Sequence, residues 1–130
     1  MTVRIGELVI DCSDPMLAAQ FWCEALSYRI TDQDHTGVAI AGDSTAPTII
    51  LLANSDAKAH KNRIHLDVCP VDSSQEEEVR RLEGLGARRI DIGQTDVSWV
   101  VMEDPVGNEF CVMSKTLPPE PAPFHHLNDS

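Results

Sequence analysis

Basic residues are scarce in this chain of 130 residues. Ten lysines and arginines stand against 21 aspartates and glutamates, which gives a formal net charge of −11. Such a surface repels nucleic-acid phosphates, and no basic patch interleaved with aromatic residues is present. The composition therefore argues against a nucleic-acid partner. It is compatible with a cationic small ligand, although an acidic balance most often serves solubility alone.

Closely spaced cysteines are also missing. Cys12, Cys23, Cys69 and Cys111 lie far apart without C-x-x-C spacing, and three of them fall in apolar runs. Cysteine in such a run behaves as a small hydrophobe, so a reduced intracellular protein is the simpler interpretation. No basic segment followed by an apolar stretch opens the chain, and no apolar run approaches the roughly 20 residues of a membrane span. We therefore expect a cytoplasmic protein with no membrane partner.

The common phosphate-binding and nucleophile motifs do not occur. The chain contains no G-x-x-x-x-G-K-[ST], G-x-G-x-x-G or G-x-S-x-G, so phosphate, dinucleotide and nucleophile-elbow functions have no support. With 42% hydrophobic and 24% charged residues, the composition is that of a globular domain large enough to bury its own core.

What the chain does contain is one pattern of strands and a helix that occurs twice. The first half predicts a strand over 3–12, a helix that opens on Asp14-Pro15, and three more strands. The second half predicts a strand over 63–71, a helix that opens on the Ser74-Gln75-Glu76-Glu77 capping box, and again three strands. The later strands are predicted at 28–33, 36–41, 48–53, 87–92, 97–103 and 108–114, and the apolar face of the first helix at Leu17, Ala18, Phe21, Trp22, Ala25 and Leu26.

The segment from Trp99 to Met113 predicts a hairpin. Two runs rich in β-branched and aromatic residues flank Asp104-Pro105-Val106-Gly107-Asn108, a cluster of turn formers. Pro105 presets a turn backbone, and Gly107 or Asn108 can adopt the positive φ that such a turn requires.

The two halves align with a constant offset. Glu7 to Asp14 lies 58 positions before His65 to Asp72, and each segment starts on a polar residue and ends on an aspartate before a helix. A repeat of this kind predicts two similar units about a pseudo-twofold axis. We therefore predict an α+β fold of two tandem βαβββ modules, 3–53 and 63–114, whose curved mixed sheets form a cleft. They would make a domain spanning 1–116, followed by a proline-rich tail at 117–130.

The duplicated module, together with the hairpin from Asp104 to Phe110, resembles the vicinal oxygen chelate superfamily over residues 3–114. That group contains glyoxalase I, bleomycin-resistance proteins, fosfomycin-modifying enzymes and extradiol dioxygenases. The His65-Leu66-Asp67 segment is most similar to the small glyoxalase-like members. The resemblance implies a cleft between the modules that holds a small organic ligand or a metal, and it favours a homodimer.

The resemblance also implies four metal-ligand positions, in the first and last strands of each module. Here they correspond to Glu7, a position near Ile50 or Leu51, His65 and Cys111. An aliphatic residue cannot bind a metal, and hard divalent ions prefer carboxylate, imidazole and water. Glu7, His65 and Cys111 could still form a three-ligand zinc site, but a thiol in an apolar strand favours its protonated form. We therefore expect no metal or other cofactor.

His65 and Glu7 are the candidate catalytic residues. His65 could act as a general base or donate to a ligand carbonyl, or it could simply be satisfied by a neighbouring strand. A buried unpaired carboxylate is costly, so Glu7 must reach water, pair with a cation or face a polar cleft. Facing His65, it could share proton transfer at a carbon next to a carbonyl.

Trp99, Cys111 and Met113 are the candidate ligand-binding residues. Trp99 could cap a ligand in the cleft or belong to the core, and both interpretations stay open. Cys111 shares a strand face with Glu109 and Met113, and it could equally be core filler. The remaining histidines, His35, His60, His125 and His126, lie in loops or the tail and are expected to be solvated, whereas Phe21 and Trp22 are expected in the core.

Two classes of function remain open. The first is a metal-free binding protein of the bleomycin-resistance kind, which we favour because the implied metal set is incomplete. The second is a lyase, isomerase or epimerase that acts next to a carbonyl, with His65 and Glu7 as acid and base. A metal-dependent glyoxalase-type lyase is the third possibility.

Overall fold

The computed structural model describes residues 2–43, 45–56, 58–91, 93 and 96–119. Within this part of the chain, the predicted order of elements is confirmed in both halves. The first half contains β1 (Glu7–Cys12), α1 (Pro15–Leu26), β2 (Arg29–Gln33), β3 (Gly37–Ala41) and β4 (Thr48–Ala53). The second half contains β5 (Leu66–Val68), α2 (Gln75–Gly84), β6 (Arg88–Arg89), β7 (Val100–Glu103) and β8 (Glu109–Val112).

The two modules have the same sheet topology. The first sheet has the order β1-β4-β3-β2 and the second has the order β5-β8-β7-β6. In each sheet the first and last strands pair in parallel, and the other pairs are antiparallel. Val9 pairs with Ile50 as Asp67 pairs with Cys111, so Ile50 and Cys111 occupy equivalent positions. The predicted α+β fold of two tandem βαβββ modules is confirmed.

Helix α1 begins as its sequence predicts. The side chain of Asp14 accepts a hydrogen bond of 3.1 Å from the backbone N–H of Leu17, and Pro15 occupies the first turn. The prediction of an apolar face was wrong for Leu17, which is 42% exposed. Leu17 lies about 140° around the helix from Trp22, at the outer edge of the buried stripe. The buried residues are Ala18, Ala19, Phe21 and Trp22.

Helix α2 carries the predicted capping box. The Ser74 hydroxyl accepts from the backbone N–H of Glu77, and the Glu77 carboxylate accepts from the backbone N–H of Ser74. The chain leaves the helix through Gly86, whose φ of +116° favours glycine. Val79 and Leu82 bury the apolar side of this helix.

The predicted strands of the second module were too long. The strand predicted over 63–71 spans only Leu66–Val68, because its parallel partner β8 is short and Pro70 has no N–H to donate. The strand predicted over 87–92 is reduced to Arg88–Arg89, and residue 92 lies outside the described part.

Aromatic side chains join the two modules in one core. The ring of Phe110, from β8, lies 5.0 Å from the ring of Trp22 and 6.0 Å from that of Phe21, both on α1. The expectation that Phe21 and Trp22 are core residues is confirmed. The largest fully buried side chains, from both modules, are Phe110, Ile40, Leu51, Met102, Val79, Val112 and Pro70.

The predicted hairpin connects β7 and β8. The backbone N–H of Asp104 donates to the carbonyl of Asn108 at 2.9 Å, and Gly107 has a φ of +89°. The Asp104 carboxylate is buried, and its Oδ1 accepts from the backbone N–H groups of Val106 and Asn108 at 3.1 and 2.9 Å. Asp104, the first residue of the turn, therefore also stabilises the turn through its side chain.

The end of the described chain lies against the second module. The backbone N–H of Leu117 donates to the carbonyl of Pro70 at 2.8 Å, and Leu117 forms a β-bridge with Val71. Most of the predicted tail, 120–130, including His125 and His126, lies outside the described residues. Neither helix of the described part has the length and apolar character that crossing a membrane requires.

Candidate functional site

Strand alternation directs three chemically active side chains to one face of the second sheet. In β5, Leu66 and Val68 pack against the core, so His65 and Asp67 point to the opposite face. Cys111 pairs with Asp67 across the parallel β5–β8 ladder and shares that face.

A cavity of about 430 Å³ opens on this face. Its volume lies in the range of roughly 300–1,000 Å³ that is typical of small-molecule sites. One part of its lining is polar and the other is apolar. The polar residues are Lys61, Asn62, His65, Asp67, Glu109 and Cys111, and the remaining lining residues are Trp99, Val101, Met113 and Gly93.

His65, Asp67 and Cys111 form a compact cluster in this cavity. Nε2 of His65 lies 3.1 Å from Oδ1 of Asp67, and a donor atom from each of the three residues lies within 4.8 Å of the others. Burial raises the pKa of the Cys111 thiol. The Asp67 carboxylate, which accepts a hydrogen bond from this thiol, raises that pKa further, whereas the positive charge of Lys61 lowers it. Imidazole, carboxylate and thiol are therefore within reach of one bound atom or ion.

Glu109 anchors the loop that forms one rim of the cavity. Its carboxylate is 8% exposed and accepts from Nζ of Lys58 at 2.7 Å and from the backbone N–H of Asn62 at 3.4 Å. Burial by itself would raise the pKa of Glu109, but these hydrogen bonds, its own backbone N–H and the Lys58 charge together hold that pKa below its usual range. Nδ2 of Asn62 also donates to Oδ1 of Asn108 at 2.9 Å, which fixes the rim against the hairpin.

Trp99 presents an exposed aromatic surface at the apolar part of the cavity. It is 40% exposed, whereas the protein's other tryptophan, Trp22, is 3% exposed. A half-open indole beside a cavity offers a large flat contact at little conformational cost. Val101 and Met113 continue this apolar wall.

Four of the five predicted site residues line this cavity: His65, Trp99, Cys111 and Met113. Glu7 is exposed at the start of β1, and it lies outside the lining of both cavities that include His65. The second of these, about 290 Å³, lies between the β1 and β5 segments. The acid–base pair of Glu7 and His65 therefore stays a prediction.

Sequence reasoning missed Asp67 as a site residue. The signal was present, because residues two apart in a strand share a face and His65 was already a candidate. Lys61 and Asn62 carried no comparable signal. Their position depends on the contacts of their loop with Glu109 and Asn108, which no local pattern predicts.

The metal set implied by resemblance does not fit this arrangement. Ile50 occupies the position equivalent to Cys111 and has no donor atom. Glu7 does not line the cavity that contains His65 and Cys111. The first module therefore contributes no ligand to that cavity among the described residues.

A larger cavity, about 630 Å³, lies elsewhere, beside the C-terminal end of α1 and the middle of α2. Its main basic group, Arg81, already donates to the carbonyls of Glu24 and Ala25 and to the Glu78 carboxylate. Since that guanidinium is engaged in structural bonds, the smaller cavity with the His65 cluster is the better candidate for a functional site.

Comparisons with known proteins agree with this fold. A family model described as a glyoxalase-like domain matches residues 7–113. No curated protein sequence matches the chain significantly.

Several solved structures have the same fold. A glyoxalase/bleomycin resistance protein/dioxygenase family enzyme from Burkholderia phytofirmans PsJN is 12% identical with a TM-score of 0.62, covering 82% of this chain and 94% of that one. A glyoxalase/bleomycin resistance protein from Albidiferax ferrireducens T118 is 14% identical with a TM-score of 0.58, covering 88% and 98%. A glyoxalase-related enzyme from Fulvimarina pelagi is 11% identical with a TM-score of 0.64, covering 92% and 94%. At these identities the likeness concerns the fold.

Proposed function

Because the chain belongs to the glyoxalase-like domain family, we propose that it binds a small organic ligand in the cavity on its second sheet. The observation that carries this proposal is the division of the cavity into a polar and an apolar part around the His65 cluster. Small-molecule sites combine an apolar lining with a few well-placed polar groups in this way.

The lining supports a ligand with a flat apolar body and a hydrogen-bonding head group. The body would pack on Trp99 and Met113, and the head group would contact His65 and Asp67. The imidazole can donate or accept, and the carboxylate accepts, so an amine, a hydroxyl or a carbonyl head group are all compatible. A homodimer and a cytoplasmic location stay predictions.

A second candidate function, proton transfer next to a carbonyl, is supported by one specific contact. The Asp67 carboxylate lies 3.1 Å from Nε2 of His65, where it would orient the ring. Asp67, rather than Glu7, would then be the carboxylate that partners His65. His65 would exchange the proton with the ligand through its other ring nitrogen.

The binding proposal can be tested with three probes that share a ring and differ in head group. We would measure binding of 2-naphthylmethylamine, 2-naphthoate and 2-naphthaldehyde by saturation-transfer NMR, in buffer containing EDTA. Met113→Trp fills the cavity with a larger side chain. Leu52→Trp is its matched control, because Leu52 occupies the equivalent position in the first module, where it pairs with Asp11.

We expect at least one probe to bind the wild-type protein and Leu52→Trp equally. The same probe should lose most of its binding in Met113→Trp, and the probe that binds best identifies the class of head group. Binding that survives in Met113→Trp, or no binding by any of the three at millimolar concentration, would overturn the proposal.

A further inference from the structure

We propose that the second module by itself holds a zinc-type metal site, made by His65, Asp67 and Cys111. This goes beyond ligand binding and does not depend on it, since the ion would bind with or without an organic ligand in the cavity. The imidazole, carboxylate and thiol donor atoms all lie within 4.8 Å of one another.

The sheet brings these three donors together. His65 directly precedes β5, Asp67 lies in that strand, and Cys111 is the direct partner of Asp67 in the parallel ladder. Backbone pairing therefore fixes the Cα positions of Asp67 and Cys111, and the neighbours Leu66, which is partly buried, and Phe110, which is buried, hold the two strands against the core. A site built on paired strands changes little when an ion arrives.

The donor chemistry favours zinc over harder ions. Zn²⁺ accepts thiolate, imidazole and carboxylate ligands at about 2.0–2.3 Å, which places neighbouring ligand atoms of a tetrahedron about 3.3–3.8 Å apart. The His65–Asp67 distance of 3.1 Å and the 4.8 Å limit of the cluster are close to that spacing. Mg²⁺ and Mn²⁺ prefer oxygen and water, so a cysteine ligand discriminates against them.

Three protein ligands leave one coordination position for an exogenous group. Because the cluster lines the cavity, that position would face the space that Trp99 and Met113 enclose. Zinc sites with three protein ligands and an open position are the catalytic type, in contrast to structural sites with four.

This site differs from the one that the resemblance implies, because Asp67 takes the place of Glu7 and the first module contributes no ligand. It also departs from our expectation, based on the sequence, that the chain binds no metal. The difference makes a direct test possible. Asp67→Asn removes a ligand of the proposed site, whereas Glu7→Gln removes a ligand of the implied one. Cys111→Ser removes the thiolate, and Cys69→Ser is its control at a cysteine outside this cavity.

The experiment uses the full chain after treatment with EDTA. Zn²⁺ affinity would be measured by competition with a chromophoric chelator. Co²⁺ substitution would then be followed by absorption spectroscopy, which reports a cobalt–thiolate bond through its charge-transfer band. Circular dichroism of each variant checks the fold. Asp67 is half exposed, so Asp67→Asn gives a test in which core packing is undisturbed.

We expect one Zn²⁺ per chain and a thiolate band that disappears in Cys111→Ser and persists in Cys69→Ser. Asp67→Asn should weaken Zn²⁺ binding at least about tenfold, and Glu7→Gln should leave it unchanged. Loss of affinity in Glu7→Gln but not in Asp67→Asn would overturn the proposal in favour of a site shared by both modules. Absence of one-to-one binding would overturn it outright. Neither result affects the naphthyl test, which is made in EDTA.

Discussion

The indole Nε1 of Trp22 donates a hydrogen bond of 2.9 Å to Oδ2 of Asp104, although 82 positions separate the two residues. Trp22 lies on α1 of the first module, and Asp104 opens the hairpin of the second. Its other oxygen accepts from the backbone N–H groups of Val106 and Asn108. One buried carboxylate thus closes the hairpin turn and joins the two modules. This gives a physical reason for aspartate at the start of the D-P-x-G-N segment.

Asp104→Asn should destabilise the protein by about 1–3 kcal/mol, the usual cost of leaving a buried polar group unpaired. The amide can keep the turn contacts with one oxygen, but it then directs an N–H₂ group at the indole N–H of Trp22. Urea unfolding would measure the change. Asp56→Asn, at an exposed loop position, is the control and should change the free energy of unfolding by less than about 0.5 kcal/mol. Equal effects of the two substitutions would mean that the bond contributes nothing.

The difference in stability between the wild-type protein and Asp104→Asn should depend on pH in a direction that can be predicted. Burial raises the pKa of the Asp104 carboxyl above its usual range, and the hydrogen bonds from Trp22, Asn108 and Val106 only partly offset this effect. The folded state therefore binds the proton more tightly than the unfolded chain. This contribution to the free energy of unfolding is fully present below the pKa that Asp104 has in the unfolded chain. It is lost as the pH rises through the pKa that Asp104 has in the folded protein. The stability advantage of wild type over Asp104→Asn should grow on acidification, and an advantage that shrinks would contradict the prediction.

The ion pair between Lys58 and Glu109 should couple more strongly than an exposed pair. Glu109 is 8% exposed and Lys58 is 32% exposed at the side chain, so water screens the contact poorly. We expect a double-mutant cycle of Lys58→Met and Glu109→Gln to give a coupling energy of about 1–3 kcal/mol.

The exposed pair of Arg29 and Asp43 supplies the control for this cycle. At 2.9 Å its distance is similar, but its side chains are 66% and 80% exposed. The corresponding coupling energy should be about 0.2–1 kcal/mol. If the two cycles agree, burial does not strengthen the Lys58–Glu109 contact, and the rim of the cavity is held in another way.

Local signals in the sequence predicted most of the fold. Asp14 and Ser74 cap the helices as expected, and Gly107 takes the positive φ that the hairpin turn needs. The lengths of the strands were less predictable. β5 ends at Val68 because its partner β8 is short, and pairing between distant segments leaves no local trace.

The sequence could predict a residue of the candidate site only where that residue takes part in the repeat or in the alternation of side chains along a strand. The constant offset aligned His65 with Glu7, and the resemblance to the family indicated Cys111. Alternation along β5 would have added Asp67. The place of Glu7 depends on how the two modules pack against each other, and that of Lys61 depends on a loop anchored by Glu109.

The most direct test of a ligand site beside Trp99 is an NMR titration that follows the two indole N–H resonances of the ¹⁵N-labelled protein. The chain has only two tryptophans, and Trp99→Phe assigns their signals. On titration with 2-naphthylmethylamine, 2-naphthoate and 2-naphthaldehyde, the Trp99 resonance should shift saturably with at least one probe. The indole N–H of Trp22 is hydrogen-bonded to Asp104 in the core, so the Trp22 resonance should not shift. A shift of Trp22 alone, or no shift of either signal with any probe, would contradict the account.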